Sequence, residues 1–227
     1  MHMANHGFRI LPMSRRPEAD LLERFRGIAT PLISDNMNRL QGASYTLRPI
    51  HQSGKLLGTA FTVKTRAGDN LLVHKAIDLA EPGDVIVVDA GGDMTQAIIG
   101  EIMMRLAIKK GLAGYVIDGA VRDTAAFYEG DFPCFAKGAA HRGPYKEGPG
   151  EINVPVTIGG MVVHPGDIII GDEDGIVAVP LDEARTIGEL AIAQQQRERA
   201  IFETIAAGTI DRSWIDETLR KKGCEFP

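Results

Sequence analysis

Two short stretches hold the residues that could do chemistry in this chain. Gly100-Glu101 opens a helical pattern, and Arg122-Asp123 lies just beyond the next apolar run. A glycine ahead of a helix lets a ligand approach the backbone, and the first N–H groups of the helix lack internal partners, so together they can hold a carboxylate. Arg122 offers a planar, permanently charged fork for a carboxylate or an enolate oxygen. Asp123 beside it could hold a hard divalent cation with waters completing an octahedral shell, and Glu101 could hold one of those waters. The spacing alone equally allows a plainer arrangement: Arg122 and Asp123 as a turn ion pair, and Glu101 as a favourable charge in the first helical turn.

These residues hang on a strand-helix-strand unit running from Pro82 to Asp123. Val85–Val88 and Tyr115–Ile117 are apolar runs that end in Asp89 and Asp118, and a continuous apolar run suits a strand covered on both faces. The helix between them is expected to turn Ile102, Met103, Leu106 and Ala107 inward. Lys109 and Lys110 suit its carboxyl end, and Gly111 ends it. Two strands joined in this way imply a right-handed parallel crossover. Ligands of open α/β sheets bind beyond the carboxyl ends of such strands, which is where both stretches fall. A turn at Gly119-Ala120-Val121 is expected to deliver Arg122 and Asp123.

The flanking elements frame this unit. The first nine residues read as a flexible start and Pro12 to Pro17 as irregular chain. A helix follows from Glu18 to Ile28, with Leu21, Leu22, Phe25 and Ile28 on one face. Thr30 reads as a cap and Pro31 as the first residue of a short helix that carries Asp35 and Arg39. Their spacing by itself reads as a surface ion pair. Thr59–Thr65 is a strand, and Gly68-Asp69-Asn70 a turn that caps a helix from Leu71 to Ala80. His74 within it reads as a solvated or satisfied side chain. Beyond the central unit come a short helix (Thr124–Tyr128), a strand (Cys134–Lys137) and a loop (His141–Gly150). Strands are expected at Val154–Ile158, Met161–Val163, Ile168–Ile170 and Ile176–Val179, with a hairpin turn at Gly159-Gly160. HPGDIIIGD repeats the pattern EPGDVIVVD, which turn chemistry explains. Leu181–Ala207 forms a long helix whose polar second half is either solvated or laid across another subunit, and Ser213–Lys222 a terminal one. Strands and helices mixed without strict alternation suggest a layered β/β/α or α+β sandwich.

Composition narrows the classes. The chain has 227 residues, 44% hydrophobic and 24% charged, with a net charge of -5 and basic residues scattered, which argues against nucleic-acid binding. Cys134 and Cys224 lie far apart and in no metal-ligand spacing. There is no signal-peptide core and no apolar run of about eighteen residues, so the expectation is a cytoplasmic protein with no membrane partner. A phosphate-binding GxxxxGK loop, a nucleophile elbow, HExxH and GxGxxG are all absent.

The stretch GEIMMRLAIKKGLAGYVIDGAVRD resembles the motif of the class II pyruvate aldolases acting on 4-hydroxy-4-methyl-2-oxoglutarate and 4-carboxy-4-hydroxy-2-oxoadipate. Their superfamily includes the regulator of ribonuclease activity A. AGDNLLVHKAIDLAEPGDVIVVDAG, INVPVTIGGMVVHPGDIIIGDEDGIVAVP and the polar carboxyl-terminal helix extend the resemblance over most of the chain from about Ala29. It implies an α/β swivelling β/β/α sandwich forming one domain over 1–227, with an irregular segment at 1–17 and a helical arm at 181–227. It further implies a homotrimer or hexamer with active sites between subunits. The backbone of Gly100, Glu101, Ile102 and Met103 and the side chain of Arg122 would bind the pyruvyl group of an oxo-acid substrate, and Asp123 would bind Mg²⁺ or Mn²⁺. Glu101 would act near the metal waters, with Asp35 and Glu198 as acids contributed across the interface. The implied activity is retro-aldol cleavage of a 4-hydroxy-2-oxo acid to pyruvate and an oxo acid, with oxaloacetate decarboxylation as a side activity. A non-catalytic regulator of a ribonuclease is the alternative within the superfamily. Glu101 and Asp35 are each the other acid from the one expected in the aldolases, and Gly208-Thr209 replaces an expected Gly-Glu. These departures allow for a different pyruvate adduct.

Overall fold

The two apolar runs at the centre of the sequence become adjacent parallel strands, each buried on both faces, as their composition requires. The computed structural model describes residues 5–225. In chain order its first half holds β1 (Phe8–Ile10), α1 (Ala19–Glu23), α2 (Thr30–Asp35), β2 (Arg48–Pro49), β3 (Leu56–Thr65), α3 (Leu71–Leu79), β4 (Asp84–Asp89), β5 (Ala97–Ile99) and α4 (Glu101–Lys110). The second half holds β6 (Gly114–Val121), α5 (Thr124–Glu129), β7 (Cys134–Ala139), β8 (Gly150–Ile152), β9 (Val156–Ile158), β10 (Met161–Val163), β11 (Ile168–Asp172), β12 (Gly175–Val179), α6 (Ala184–Ala206) and α7 (Ser213–Lys221).

The main sheet runs β1-β8-β3-β4-β6-β7-β2, with β3, β4, β6 and β7 parallel to one another. β3 is shared lengthwise: its first half pairs antiparallel with β11, and its last residues with β8. Period-two alternation then divides the layers. Ile86, Val88 and Ile117 face α3 and α4, against Leu72, Ala76, Met103 and Ala107. Val85, Val87 and Val116 face the β9–β10 hairpin, against Val156, Ile158 and Met161. The result is a β/β/α sandwich. A third core joins Phe25, Ile33 and Ile187 from the amino-terminal helices and α6 to Ile168, Ile170 and Val177.

The repeated PGD turns are the same device twice. Asp84 Oδ2 accepts from Glu81 N–H and Asp167 Oδ2 from His164 N–H, each at 2.8 Å, with Gly83 and Gly166 at φ of +87° and +90°. A side chain bonding three residues back closes each turn, and glycine supplies the positive φ. The two turns feed β4 and β11, which both register against Thr59 of β3.

Several expectations are corrected. The segment expected to be irregular from 1 to 17 contains β1, which pairs in parallel with β8 and is pinned by Arg9 Nε to Glu151 at 2.6 Å. A three-residue strand is too short for its alternation to stand out. The helix expected from Glu18 to Ile28 stops at Glu23, and the chain reaches Gly27, at φ +76°, through turns. Gly119-Ala120-Val121 is the end of β6 and not a turn, because β5 and β7 pair with it there. Ile102 and Leu106 are exposed at 71% and 45%, while Met104 takes the inward position beside Met103. β9 starts at Val156, two residues later than expected, and Gly150 belongs to β8. Thr30 is the first helical residue of α2 rather than its cap.

An external carboxylate caps α2 instead. Buried Asp172, at the end of β11, accepts from Thr30 N–H at 2.8 Å, from the Thr30 hydroxyl at 2.6 Å and from Asp174 N–H at 3.0 Å. Asp172→Ala strands the buried N–H and hydroxyl of Thr30 and also removes the partner of the less buried Asp174 N–H. We expect it to lower unfolding free energy by about 2–4 kcal/mol, read from urea denaturation midpoints.

Candidate active site

Gly100 and Arg122 meet because β5 and the end of β6 run side by side. Ala97 registers with Ala120 and Ile99 with Val121, and Arg122 N–H donates to the Ile99 carbonyl at 3.0 Å. α4 therefore begins beside the point where β6 ends. The Tyr115 hydroxyl, buried in β6, donates to the Met103 carbonyl at 3.0 Å and fixes the first turn of α4 on the sheet. Burial pushes the Tyr115 phenol far above its usual range, so it remains a donor at all working pH values.

Asp123 sits at φ +56°, a left-handed conformation that aspartate tolerates better than most residues. This turns its carboxylate back over α4, where Oδ2 accepts from Glu101 N–H at 3.0 Å. Arg122 Nε lies 3.8 Å from the same oxygen, and both side chains stay partly open to solvent. A Cβ on Gly100 would overlap the Asp123 carboxylate and lie 2.9 Å from Arg122 Cγ. Glycine is thus required by close approach, not by φ. The first bond within the helix runs from Met104 N–H to the Gly100 carbonyl at 3.1 Å. With Glu101 N–H taken by Asp123, the N–H groups of Ile102 and Met103 are the ones left for an anion.

Gly100, Ile102, Met103, Arg122 and Asp123 line one cleft of about 120 Å³, completed by Asn70, His74, Pro144 and Lys146. The last four were not expected there. His74, read as a bystander, comes from α3, and Pro144 and Lys146 from the loop after β7. No spacing signal could have joined these segments, since only the turn at Asp69 brings them together. His74 is held below the ordinary histidine pKa by burial first and by the Lys146 cation second, with Asp78 opposing.

The Glu101 side chain does not line the cleft itself. Arg105 reaches its Oε1 through Nε at 2.7 Å and through Nη2 at 2.6 Å, an (i, i+4) pair that leaves Oε2 free. Asp35 and Glu198 do not line the cleft either. They are brought together on α2 and α6, where Gln194 Nε2 lies 3.4 Å from Asp35 Oδ2 and 3.5 Å from Glu198 Oε1. Asn36 Nδ2 donates to Gln194 Oε1 at 2.8 Å and orients this amide, while Arg39 pairs with Asp35 Oδ1 at 2.7 Å.

Among the described residues no group of three or more His, Cys, Asp or Glu side chains could cage a metal. The donor set here is one half-exposed carboxylate, Asp123, next to an open cleft. That fits a hard cation that keeps several waters and shares oxygens with its substrate, as Mg²⁺ does, and does not fit a thiolate- or imidazole-seeking metal.

The neighbourhood of His74 can be checked directly. Its imidazole should titrate below about 6.5, and Lys146→Gln should move the midpoint upward by removing a nearby positive charge, as read by NMR titration.

The family model described as "RraA-like: Aldolase/RraA" matches residues 30–178. A Halalkalibacterium halodurans protein provisionally named 4-hydroxy-4-methyl-2-oxoglutarate aldolase is 41% identical over 194 residues, covering 84% of this chain and 92% of that protein. The Thermus thermophilus protein named 4-hydroxy-4-methyl-2-oxoglutarate aldolase is 41% identical over 112 residues, 49% of this chain and 68% of that one. Among solved structures, an uncharacterized Pseudomonas syringae protein superposes with a TM-score of 0.78 at 28% identity, covering 86% of this chain and 96% of the other. The RNA-processing inhibitor RraA from Thermus thermophilus superposes with a TM-score of 0.62 at 33% identity, covering 67% and 92%. The match spans the β3–β12 sandwich and the whole cleft-bearing unit, so this chain belongs to the RraA-like (Aldolase/RraA) family.

Proposed function

We propose that this protein is a divalent-metal-dependent lyase that cleaves a 4-hydroxy-2-oxo acid, of the 4-hydroxy-4-methyl-2-oxoglutarate kind, to pyruvate and a second oxo acid. The observation that carries the reading is the junction of Gly100, Arg122 and Asp123: a carboxylate cradle, a guanidinium and a hard-cation ligand converge on one small cleft. Names given to similar proteins support the same chemistry.

The free N–H groups of Ile102 and Met103 hold the substrate carboxylate at the positive end of α4. Arg122 then faces the 2-oxo oxygen. As the C3–C4 bond breaks, its electron pair passes to the pyruvyl half as an enolate, and the guanidinium stabilises the charge that develops. Asp123 would hold Mg²⁺ or Mn²⁺, which when bound supplies Lewis-acid stabilisation of that enolate. The 4-hydroxyl proton leaves with the bond, and its acceptor is a water held by acids: Glu101 through its free Oε2, with Asp35 and Glu198 reaching in from a neighbouring copy. Protonation at C3 completes pyruvate. The same enolate forms when oxaloacetate loses CO₂, so decarboxylation follows as a side activity. Nothing in this scheme calls for a Schiff-base lysine.

Assembly into a trimer or a hexamer belongs to the reading. Asp35 and Glu198 share one surface outside the cleft, so within one chain the acid half of the site is separate from the binding half. The arm also carries exposed Ile201, Phe202, Ile205 and Trp214, an apolar surface suited to a second copy.

The test is pyruvate release from 4-hydroxy-4-methyl-2-oxoglutarate and from oxaloacetate with Mg²⁺, with and without chelator. Asp123→Ala should lose about a thousandfold or more in kcat/KM, and chelator should do the same to the wild type. Turnover that ignores both would sink the mechanism. Gly100→Ala should cost about 10–100-fold by shifting Asp123 and Arg122, with the unfolding midpoint little changed. No pyruvate from any oxo acid, together with capture of an RNA-processing enzyme, would favour the inhibitor role of the Thermus RraA structure.

A further inference from the structure

Residues 8–16 run along the sheet from its cleft end to its opposite end. Phe8 registers with Gly150 of β8, which registers with Thr65 at the close of β3. Leu11 N–H donates to the Ile152 carbonyl at 3.1 Å, and Asn153 Nδ2 donates to the Leu11 carbonyl at 3.0 Å. The backbone then packs on the second PGD turn, where a Cβ on Gly166 would overlap the Arg15 carbonyl. Arg15 Nη1 donates to Asp182 Oδ2 at 2.9 Å, and Arg16 Nη2 to Asp84 Oδ2 of the first PGD turn at 3.1 Å. Each arginine of the segment thus pins it to a carboxylate, beginning with Arg9 on Glu151.

At the cleft end, charge holds β1 more than apolar burial does, because Phe8 and Ile10 stay exposed while Glu151 is buried. Burial would raise the Glu151 pKa, but the Gly7 N–H and the Arg9 guanidinium outweigh it and hold it below its usual range. The pin is therefore charged at neutral pH. Phe8 lies over the loop that leads into β8. A Cβ on Gly148 would lie 3.3 Å from Phe8 Cε2 and 3.8 Å from Leu71 Cδ2. Buried Asp69 Oδ2 accepts from the Gly148 N–H at 2.9 Å and from the Glu147 N–H at 2.7 Å. The loop is thus bonded to Asp69 and covered by Phe8, and just before this point it carries Pro144 and Lys146 into the cleft lining. It has no helix or strand of its own, and the strand it enters, β8, has three residues with β1 as partner on its outer edge. A wall so lightly built depends on what covers it.

We propose that residues 8–16 form a strap that sets one wall of the cleft. Phe8 and Arg9 are its positioning residues, acting through Gly148 and Glu151 on the segment that carries Pro144 and Lys146. Arg16 fastens the far end of the strap and has no part in placing that wall. The effect on turnover rests on reading the cleft as a lyase site; the effect on the wall does not.

The experiment follows the full chain by NMR, reading amide exchange at Glu147 and Gly148 and the titration of His74. Phe8→Ala and Arg9→Gln should each speed exchange at these two amides about tenfold or more. They should also move the His74 midpoint upward, since a looser wall takes the Lys146 cation away and lets water reach the imidazole. Phe8→Tyr and Arg9→Lys should restore wild-type behaviour. Arg16→Gln should lower the unfolding midpoint and leave both cleft readings unchanged. With oxaloacetate and Mg²⁺, Phe8→Ala should raise KM about threefold or more with kcat within about twofold. Unchanged exchange and His74 titration in Phe8→Ala and Arg9→Gln would overturn the proposal. So would equal changes in Arg16→Gln, which mark a general loss of stability, or a loosened wall with an unaltered KM. A wild type whose wall responds as expected but which releases no pyruvate from any oxo acid refutes the lyase reading and leaves the strap standing.

Discussion

The bond from Glu101 N–H to Asp123 Oδ2 joins the two halves of the cleft. It takes the first orphan donor of α4 and gives it to the residue that follows β6, so helix start and strand end become one structure. It also divides labour inside the site. The helix keeps the donors of Ile102 and Met103 for a ligand, and Asp123 keeps Oδ1, with no partner among the described residues. The left-handed backbone at Asp123 costs conformational energy, of order 1–3 kcal/mol for such a position, and the capped helix end helps to offset it.

That junction depends on the layers beneath it. β5 can lie along the end of β6 only because β6 continues past Asp118 to Val121, and β7 pairs with it there on the other side. The sheet is held flat against α4 by Met103, Met104 and Ala107 and by the Tyr115 hydroxyl. On its far face the β9–β10 hairpin covers Val85, Val87 and Val116. Both faces are buried, so neither strand can shift register without breaking the packing of both layers at once. Rigidity of the cleft floor is a consequence of that double burial.

Much of this was legible in the residues. Val85–Val88, Gly111 with its left-handed backbone, the Gly159-Gly160 hairpin and the paired PGD turns all follow from local rules about period, φ and turn chemistry. The convergence of Gly100 with Arg122-Asp123 followed from the crossover rule. What local rules could not supply was pairing set by distant partners. β1 is a strand because β8 offers it an edge, and Gly119 to Val121 is a strand because β5 does. The inward face of α4 was displaced by one residue because methionine at 104 fits the core where isoleucine at 102 lies over the cleft. Lys146 and His74 carry no local signal for the same reason: the loop that holds one meets the helix that holds the other through buried Asp69 and the backbone bonds of Tyr145 to Gly68 and Asn70.

The separation of Asp35 and Glu198 from the cleft has a physical logic of its own. Carboxylates placed beside Asp123 in a single chain would repel one another in the absence of a cation and would raise one another's proton affinity. Here the two acids are held apart from Asp123 on α2 and α6, close to Gln194 and, for Asp35, to Arg39. A single chain therefore folds without the cost of a crowded anionic site. In the lyase proposed above, assembly would bring the acids to the cleft and confine that cost to the state in which a cation and a substrate can offset it, so the complete acid set would belong to the assembled protein rather than to the fold alone.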